Sequence, residues 1–147
     1  MRPDPPIALQ RIAQALVLDL ASQLSDPFAQ QTAGLAATIA AMLAEEWDRA
    51  AARLAEENAA LRALFAAAAD LAPPELAARL RTAAAGEDSD LRVSRLQATN
   101  DELRRLLIEL HAWCEGQDDP RIAAVNEAIW EELKESTRRR RLVARPL

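Results

Sequence analysis

His111 and Cys114 are the two residues whose types and spacing come closest to supporting chemistry. They lie three positions apart in a helical stretch, so one helix face could carry both side chains, as a metal site would require. A tetrahedral zinc site needs four ligands, and the sequence holds one histidine and one cysteine. A di-iron bundle needs two Glu-x-x-His motifs, and Ile108 stands where the glutamate before His111 would be. We therefore expect no metal and no cofactor, and we interpret Cys114 as a small core residue.

Catalytic groups are equally hard to assemble from this sequence. His111 could act as a base for Cys114, but both lie on a leucine-rich helical face that is typical of packing. The three glycines are isolated from one another, so they form no glycine-rich phosphate loop. Adjacent carboxylates such as Glu131 and Glu132 point about 100° apart on a helix and do not converge. We expect no enzymatic activity, although a small-molecule binder or enzyme with a pocket inside a helical bundle is a second alternative.

The strongest charge cluster is a run of four arginines near the end of the chain, Arg138, Arg139, Arg140 and Arg141. Such a run can contact phosphate, nucleic acid or an acidic protein. Cations at a helix C-terminus also complement the helix dipole and then extend into solvent, and we favour this second interpretation. The net charge of −5 repels nucleic acid, and no DNA-reading motif accompanies the arginines. A regulator that contacts nucleic acid through this cluster is therefore the alternative function.

Two stretches of the chain repeat each other with coiled-coil spacing. Residues 53–65 read RLAEENAALRALF, and residues 95–107 read RLQATNDELRRLL. Each places leucine, asparagine, leucine and then phenylalanine or leucine at alternating steps of four and three, on one helical stripe. A buried asparagine in such a seam sets register and partner number at some cost in stability. The predicted seam and candidate interface comprises Trp47, Leu54, Asn58, Leu61, Phe65 and Asn100.

The sequence does not decide which helix packs against this seam. It is compatible with a seam formed within one chain and with a seam formed between two chains. The connector from residue 73 to residue 86 is short, so we expect the two repeats to run antiparallel within a chain more easily than parallel. In that arrangement Asn58 need not meet Asn100 and could meet its own copy across a dimer axis. The acidic neighbours Glu56, Glu57 and Asp101 are interpreted as solvated flanks of the seam.

Prolines, glycines and aspartates divide the sequence into five predicted helices. These span roughly residues 6–24, 27–72, 74–85, 88–115 and 120–139 of a single domain, followed by a frayed basic tail. Only Gly34 interrupts the second helix, so this helix either kinks there or extends beyond a compact domain and meets a partner. Half of the residues are hydrophobic, mostly Ala and Leu, while 3% are aromatic. The predicted fold is therefore all-α, a bundle-like up-down arrangement with one very long helix packed as in coiled coils.

The expected location is cytoplasmic, without membrane contact. The most apolar stretch, residues 33–44, falls well short of the ~20 residues that a membrane span needs, and the N-terminal residues lack the apolar core of a signal peptide. The favoured function is a non-enzymatic helical interaction, scaffold or accessory protein that works as a homo-oligomer, most simply a dimer. A further protein partner is expected, and the sequence does not identify it.

Overall fold

The computed structural model describes residues 4–143, and every regular element in this range is helical. Helix α1 spans Pro5–Ala15 and continues through a π-helical turn, Leu16–Leu20, and a short 3-10 turn, Ala21–Gln23. Helix α2 spans Pro27–Ala68, α3 spans Pro74–Ala84, α4 spans Val93–Glu115 and α5 spans Pro120–Arg139. The prediction of an all-α fold with one very long helix is confirmed.

Prolines lead four of the five helices, where their missing N–H would lack an intrahelical partner in any case. Aspartates cap two of these starts. The carboxylate of Asp26 accepts hydrogen bonds from the N–H groups of Phe28 at 3.2 Å and Ala29 at 3.3 Å. The Asp119 carboxylate accepts from the N–H of Arg121 at 2.8 Å. The Asp-Pro pairs in the sequence therefore start helices, as their composition predicts.

Helix α2 passes through Gly34 as one continuous helix. One end of α2 and one end of α4 differ from the prediction by four residues or more. Helix α2 ends at Ala68 rather than at residue 72, and the chain turns there, with the N–H of Leu71 donating to the carbonyl oxygen of Ala68 at 3.1 Å. Helix α4 begins at Val93 rather than at residue 88. The loop before it stays non-helical and carries Asp88 to a basic partner on α2.

The contacts of the chain divide it into two compact units, and each is described by itself. The N-terminal unit comprises the described residues up to Ala50 together with the chain end from Arg141. The C-terminal unit spans Ala51–Arg140.

The C-terminal unit consists of the second half of α2 with α3, α4 and α5. Large apolar side chains from all four segments form its core, and full burial of each stabilises the fold by about 1.5–3 kcal/mol. The core includes Leu61, Phe65, Leu80, Leu103, Leu106, Leu107, Leu110, Cys114, Ile122 and Ile129.

Side-chain contacts fix the helix directions in the C-terminal unit. Arg104 of α4 donates to the Ser136 hydroxyl of α5, while His111 packs edge-on against Trp130 with ring centroids 5.1 Å apart. Residue numbers rise along α4 as they fall along α5, so these helices are antiparallel. On α2, Glu57 accepts a hydrogen bond from Ser136, and residues 60 and 64 line one groove with residues 128–138. Helix α5 is therefore antiparallel to α2 as well.

It follows that α2 and α4 are parallel, which differs from the antiparallel expectation for the two repeats. The connector between them is not a simple loop, because it contains the whole of α3. This helix has 11 residues and covers about 16 Å. Gly86, just after α3, lies beside the side chain of Arg62 on α2, so α3 runs back along α2 before α4 begins. A parallel pair brings equivalent positions of the repeat to the same level.

In the N-terminal unit, α2 buries alanines. Ala33, Ala37, Ala40 and Ala44 recur at steps of four and three and are all buried. Residues of α1 and of the π-helical turn line a groove together with this half of α2. The chain end belongs to the same unit, since the N–H of Val143 donates to the Glu45 carboxylate at 2.8 Å. Small side chains allow close packing on this side of α2 but bury little apolar area.

Candidate interaction surface and buried polar cluster

A cluster of polar side chains lies inside the C-terminal unit, where α2, α4 and α5 meet. At its centre is Glu57, whose side chain is 1% exposed. Its carboxylate accepts hydrogen bonds from Arg140 Nη2 at 2.7 Å, Arg104 Nη2 at 3.2 Å, Ser136 Oγ at 3.1 Å and Asn100 Nδ2 at 3.3 Å. The interpretation of Glu57 as a solvated flank is therefore wrong, because α5 covers it and supplies a cation.

The charge of Glu57 is stabilised in place. Burial by itself would raise the pKa of this carboxyl, but the hydrogen bonds and positive charges of Arg140 and Arg104 outweigh it and lower the pKa below 4.5. Glu57 is therefore ionised at neutral pH. One buried carboxylate thus ties α2 to both α4 and α5.

The two asparagines of the repeat meet in this cluster. Asn100 Nδ2 donates to Asn58 Oδ1 at 3.0 Å, and neither residue is exposed. Asn58 Nδ2 donates in turn to the carbonyl oxygen of Leu96 at 3.3 Å and to Asp88 Oδ1 at 3.1 Å. Asp88 also accepts two hydrogen bonds of 2.9 Å from Arg62, which lower its pKa. The asparagines therefore pair within one chain, at the level where the parallel helices α2 and α4 align.

The other residues of the predicted seam are divided between the two units. Leu54, Leu61 and Phe65 are buried in the C-terminal unit by the chain itself and are closed to a second copy. Trp47 lies in the N-terminal unit and is exposed. Of the candidate interface, only Trp47 is accessible to another molecule.

The four arginines at the end of α5 are largely occupied by carboxylates of the same chain. The closest contacts are Arg138 to Glu135 at 3.0 Å, Arg139 to Glu132 at 2.8 Å and Arg140 to Glu57 at 2.7 Å. Arg141 is exposed, and its backbone carbonyl accepts a hydrogen bond from Arg49 at 2.9 Å. Arg138, Arg140 and Arg141 are exposed, in line with the expected solvated cluster, but the pairing with acidic residues of α2 and α5 was not expected. Residues 144–147 of the tail lie outside the described residues.

His111 and Cys114 have packing roles in the structure. Cys114 is buried in the core, and burial raises the pKa of its thiol, which makes the thiol less reactive. His111 packs against the Trp130 ring. Between residues 4 and 143, no three His, Cys, Asp or Glu side chains are grouped so that they could hold a metal ion.

An apolar surface on the N-terminal unit is the feature that the sequence reasoning missed. Ten large hydrophobic side chains there are between 46% and 76% exposed, and we call them together the N-terminal apolar surface. They are Ile7, Ile12, Val17, Leu18 and Leu20 before α2, and Phe28, Leu35, Ile39, Leu43 and Trp47 on α2. Neither α1 nor the two turns after it contain a buried residue. Helical segments of this length are marginal in water unless packing supports them.

The first half of α2 thus inverts the usual placement of apolar residues, with alanines inside and bulky side chains outside. Residues 27–44 contain no charged side chain. This neutral stretch is the signal in the sequence that indicates the surface. None of the helices in the described part of the chain has the length and apolar character needed to cross a bilayer.

Comparison of the chain with models of protein families, with curated proteins and with solved structures finds no match. Its function is therefore inferred from its own residues and surfaces.

Proposed function

We propose that this chain is a non-enzymatic helical interaction protein of the cytoplasm. In this proposal the C-terminal unit is the stable body, and the N-terminal apolar surface binds another protein chain. The observation that carries the proposal is the exposure of ten large hydrophobic side chains on a unit whose buried positions are mostly alanine.

The size of the exposed surface supports this function. A large apolar side chain presents on the order of 150 Å² when fully exposed, so ten of them at about half exposure present roughly 750 Å². Contiguous apolar patches on monomeric proteins are typically about 300–600 Å², and larger ones are typical of interaction sites. A standard protein interface buries about 800 Å² on each partner. The summed exposed area of these ten side chains is therefore comparable to what one partner buries in a standard interface.

Site-specific photocrosslinking in the native host tests the proposal. A photoreactive phenylalanine analogue at Phe28, which is exposed on this surface, should form a protein adduct of defined mass. The matched control carries the analogue at Ile108, which is exposed on α4 in the C-terminal unit and should give no such adduct. Failure of the Phe28 position to crosslink to any protein, or equal adducts at both positions, would contradict the proposed function.

A further inference from the structure

We infer that the partner of the N-terminal apolar surface is a second copy of this chain, which packs closely against α2 at Gly34. The inference rests on the proposed function and names its partner. Two helical segments from each copy would then form an intermolecular four-helix bundle related by a two-fold axis.

Gly34 is the first observation that points to a closely packed neighbour. A glycine inside a helix is less favourable than an alanine because it loses more backbone entropy, and Ala33, Ala36 and Ala37 show that alanine is otherwise favoured here. Gly34 has no positive φ that would require glycine, and a Cβ built on it meets no atom within 4 Å. Between residues 4 and 143, no contact therefore accounts for the missing side chain. Close approach of a helix from outside the chain does.

An open groove lies at Gly34 and is the second observation. It has a volume of about 1000 Å³, and residues of the first helical segment and of α2 line it around Gly34, most of them apolar and four of them polar (Gln14, Gln31, Thr32 and Thr38). Leu18 and Phe28 also line this groove and are the two most exposed members of the N-terminal apolar surface. One chain thus carries both the protruding side chains and the open position that can receive them. A two-fold interface needs this self-complementarity, because each copy offers the same residues.

The charge distribution also favours a second copy. The chain carries a net charge of −5, so two copies repel each other overall. A self-association surface must therefore keep like charges away from its centre. The neutral stretch 27–44 meets this requirement, and it contains Phe28, Leu35 and Ile39.

Sedimentation equilibrium of the full chain at micromolar concentration tests the inference. The wild-type protein should have twice the chain mass of 16.1 kDa. Gly34→Leu places a side chain in the groove, where its Cβ meets no described atom of the chain within 4 Å, and should weaken the dimer by about tenfold or more, with an unchanged far-ultraviolet circular dichroism signal. Gly116→Leu, outside the N-terminal unit, is the matched control and should leave the dimer unchanged.

A second pair of variants keeps the test independent of Gly34. Phe28→Glu should also dissociate the dimer, because each copy would bury an unpaired charge in an apolar interface, whereas Ile108→Glu should not. A monomeric wild-type chain, or a dimer that neither Gly34→Leu nor Phe28→Glu weakens, would overturn the inference. The photocrosslink at Phe28 separates the two proposals. An adduct with a different protein and none with a second copy would refute the dimer and retain the proposed function, and no adduct would refute both.

Discussion

Replacing Glu57 by glutamine should strongly destabilise the C-terminal unit, because this carboxylate links α2 to α4 and α5. The substitution preserves the size of the side chain but removes the negative charge that faces Arg140 at 2.7 Å and Arg104 at 3.2 Å. The amide oxygen can still accept hydrogen bonds. Its NH2 group, however, would face guanidinium groups that can only donate.

The magnitude follows from the burial and the number of these contacts. Removing one partner of a buried ion pair typically costs about 3–5 kcal/mol, since the other charge is left uncompensated. Here the partners are less buried than Glu57, because the side chains of Arg140 and Arg104 are 43% and 32% exposed. Water can therefore solvate part of the positive charge in the variant. We expect a loss near the lower limit, about 3 kcal/mol in the free energy of unfolding.

Urea unfolding followed by far-ultraviolet circular dichroism measures this loss. Glu56→Gln is a matched control on the adjacent residue, whose side chain is 65% exposed and approaches Arg139 only at 4.0 Å. The control should change the free energy of unfolding by no more than about 0.5 kcal/mol. Equal effects of the two substitutions, or a loss below about 1 kcal/mol for Glu57→Gln, would refute the role assigned to the polar cluster.

Other properties of the C-terminal unit can be checked in the same way. The folded-state pKa values of Glu57 and Asp88 are lowered, so their ionisation stabilises the fold at pH values above the unfolded-state pKa values of 4.5 and 3.8. In an acid titration this stability should be lost as the pH falls through the lower, folded-state pKa values, and the loss should be smaller in Glu57→Gln. Asn58→Leu should lower the melting temperature in a calorimetric scan, because it removes one of the two oxygens that accept from the buried amide of Asn100 and leaves Glu57 as the other; a higher melting temperature would contradict this. The Cys114 thiol should react with a thiol reagent only slowly until urea unfolds the protein, and rapid native-state labelling would argue against its buried position.

The repeat predicts much of the C-terminal core but not the direction of its helices. The steps of four and three place Leu54, Leu61 and Phe65 on one stripe, and the structure buries all three. The relative direction of α2 and α4 depends on the path of the connector between them. A loop of this length would join two antiparallel helices. Here the connector forms helix α3, which runs back along α2, so that α4 starts near the level of Arg62 and is parallel to α2. The sequence predicts helix α3, but it does not indicate that α4 then runs parallel to α2.

The role of Glu57 could not be read from its sequence neighbourhood. Glu56 and Glu57 are adjacent and look alike in the sequence, but they point to different sides of α2, and only Glu57 is buried. Its burial depends on α5, whose contacting residues Ser136 and Arg140 lie about 80 positions further along the chain. Local patterns do not reveal such distant pairings. The same holds for Arg140, whose side chain is 43% exposed but is also paired with Glu57, a contact that the sequence does not indicate.

The periodicity of α1 correctly predicts a helix with apolar residues, but not how little of it the chain covers. Leucines and isoleucines recur along residues 7–24, which is typical of a helix that packs against a core. In the structure this segment faces an alanine-rich half of α2 and buries none of its residues. Periodicity indicates that a face requires a partner. It does not show whether that partner lies in the same chain.

Hydrogen–deuterium exchange of residues 5–24, measured over a range of protein concentrations, tests the central claim most directly. If a second copy covers the N-terminal apolar surface, protection of these amides should increase with protein concentration, since dimer formation stabilises the segment. The amides of α4 in the C-terminal unit should be equally protected at every concentration. Protection of residues 5–24 that is high and independent of concentration would contradict the account, because the segment would then be stable in a single chain.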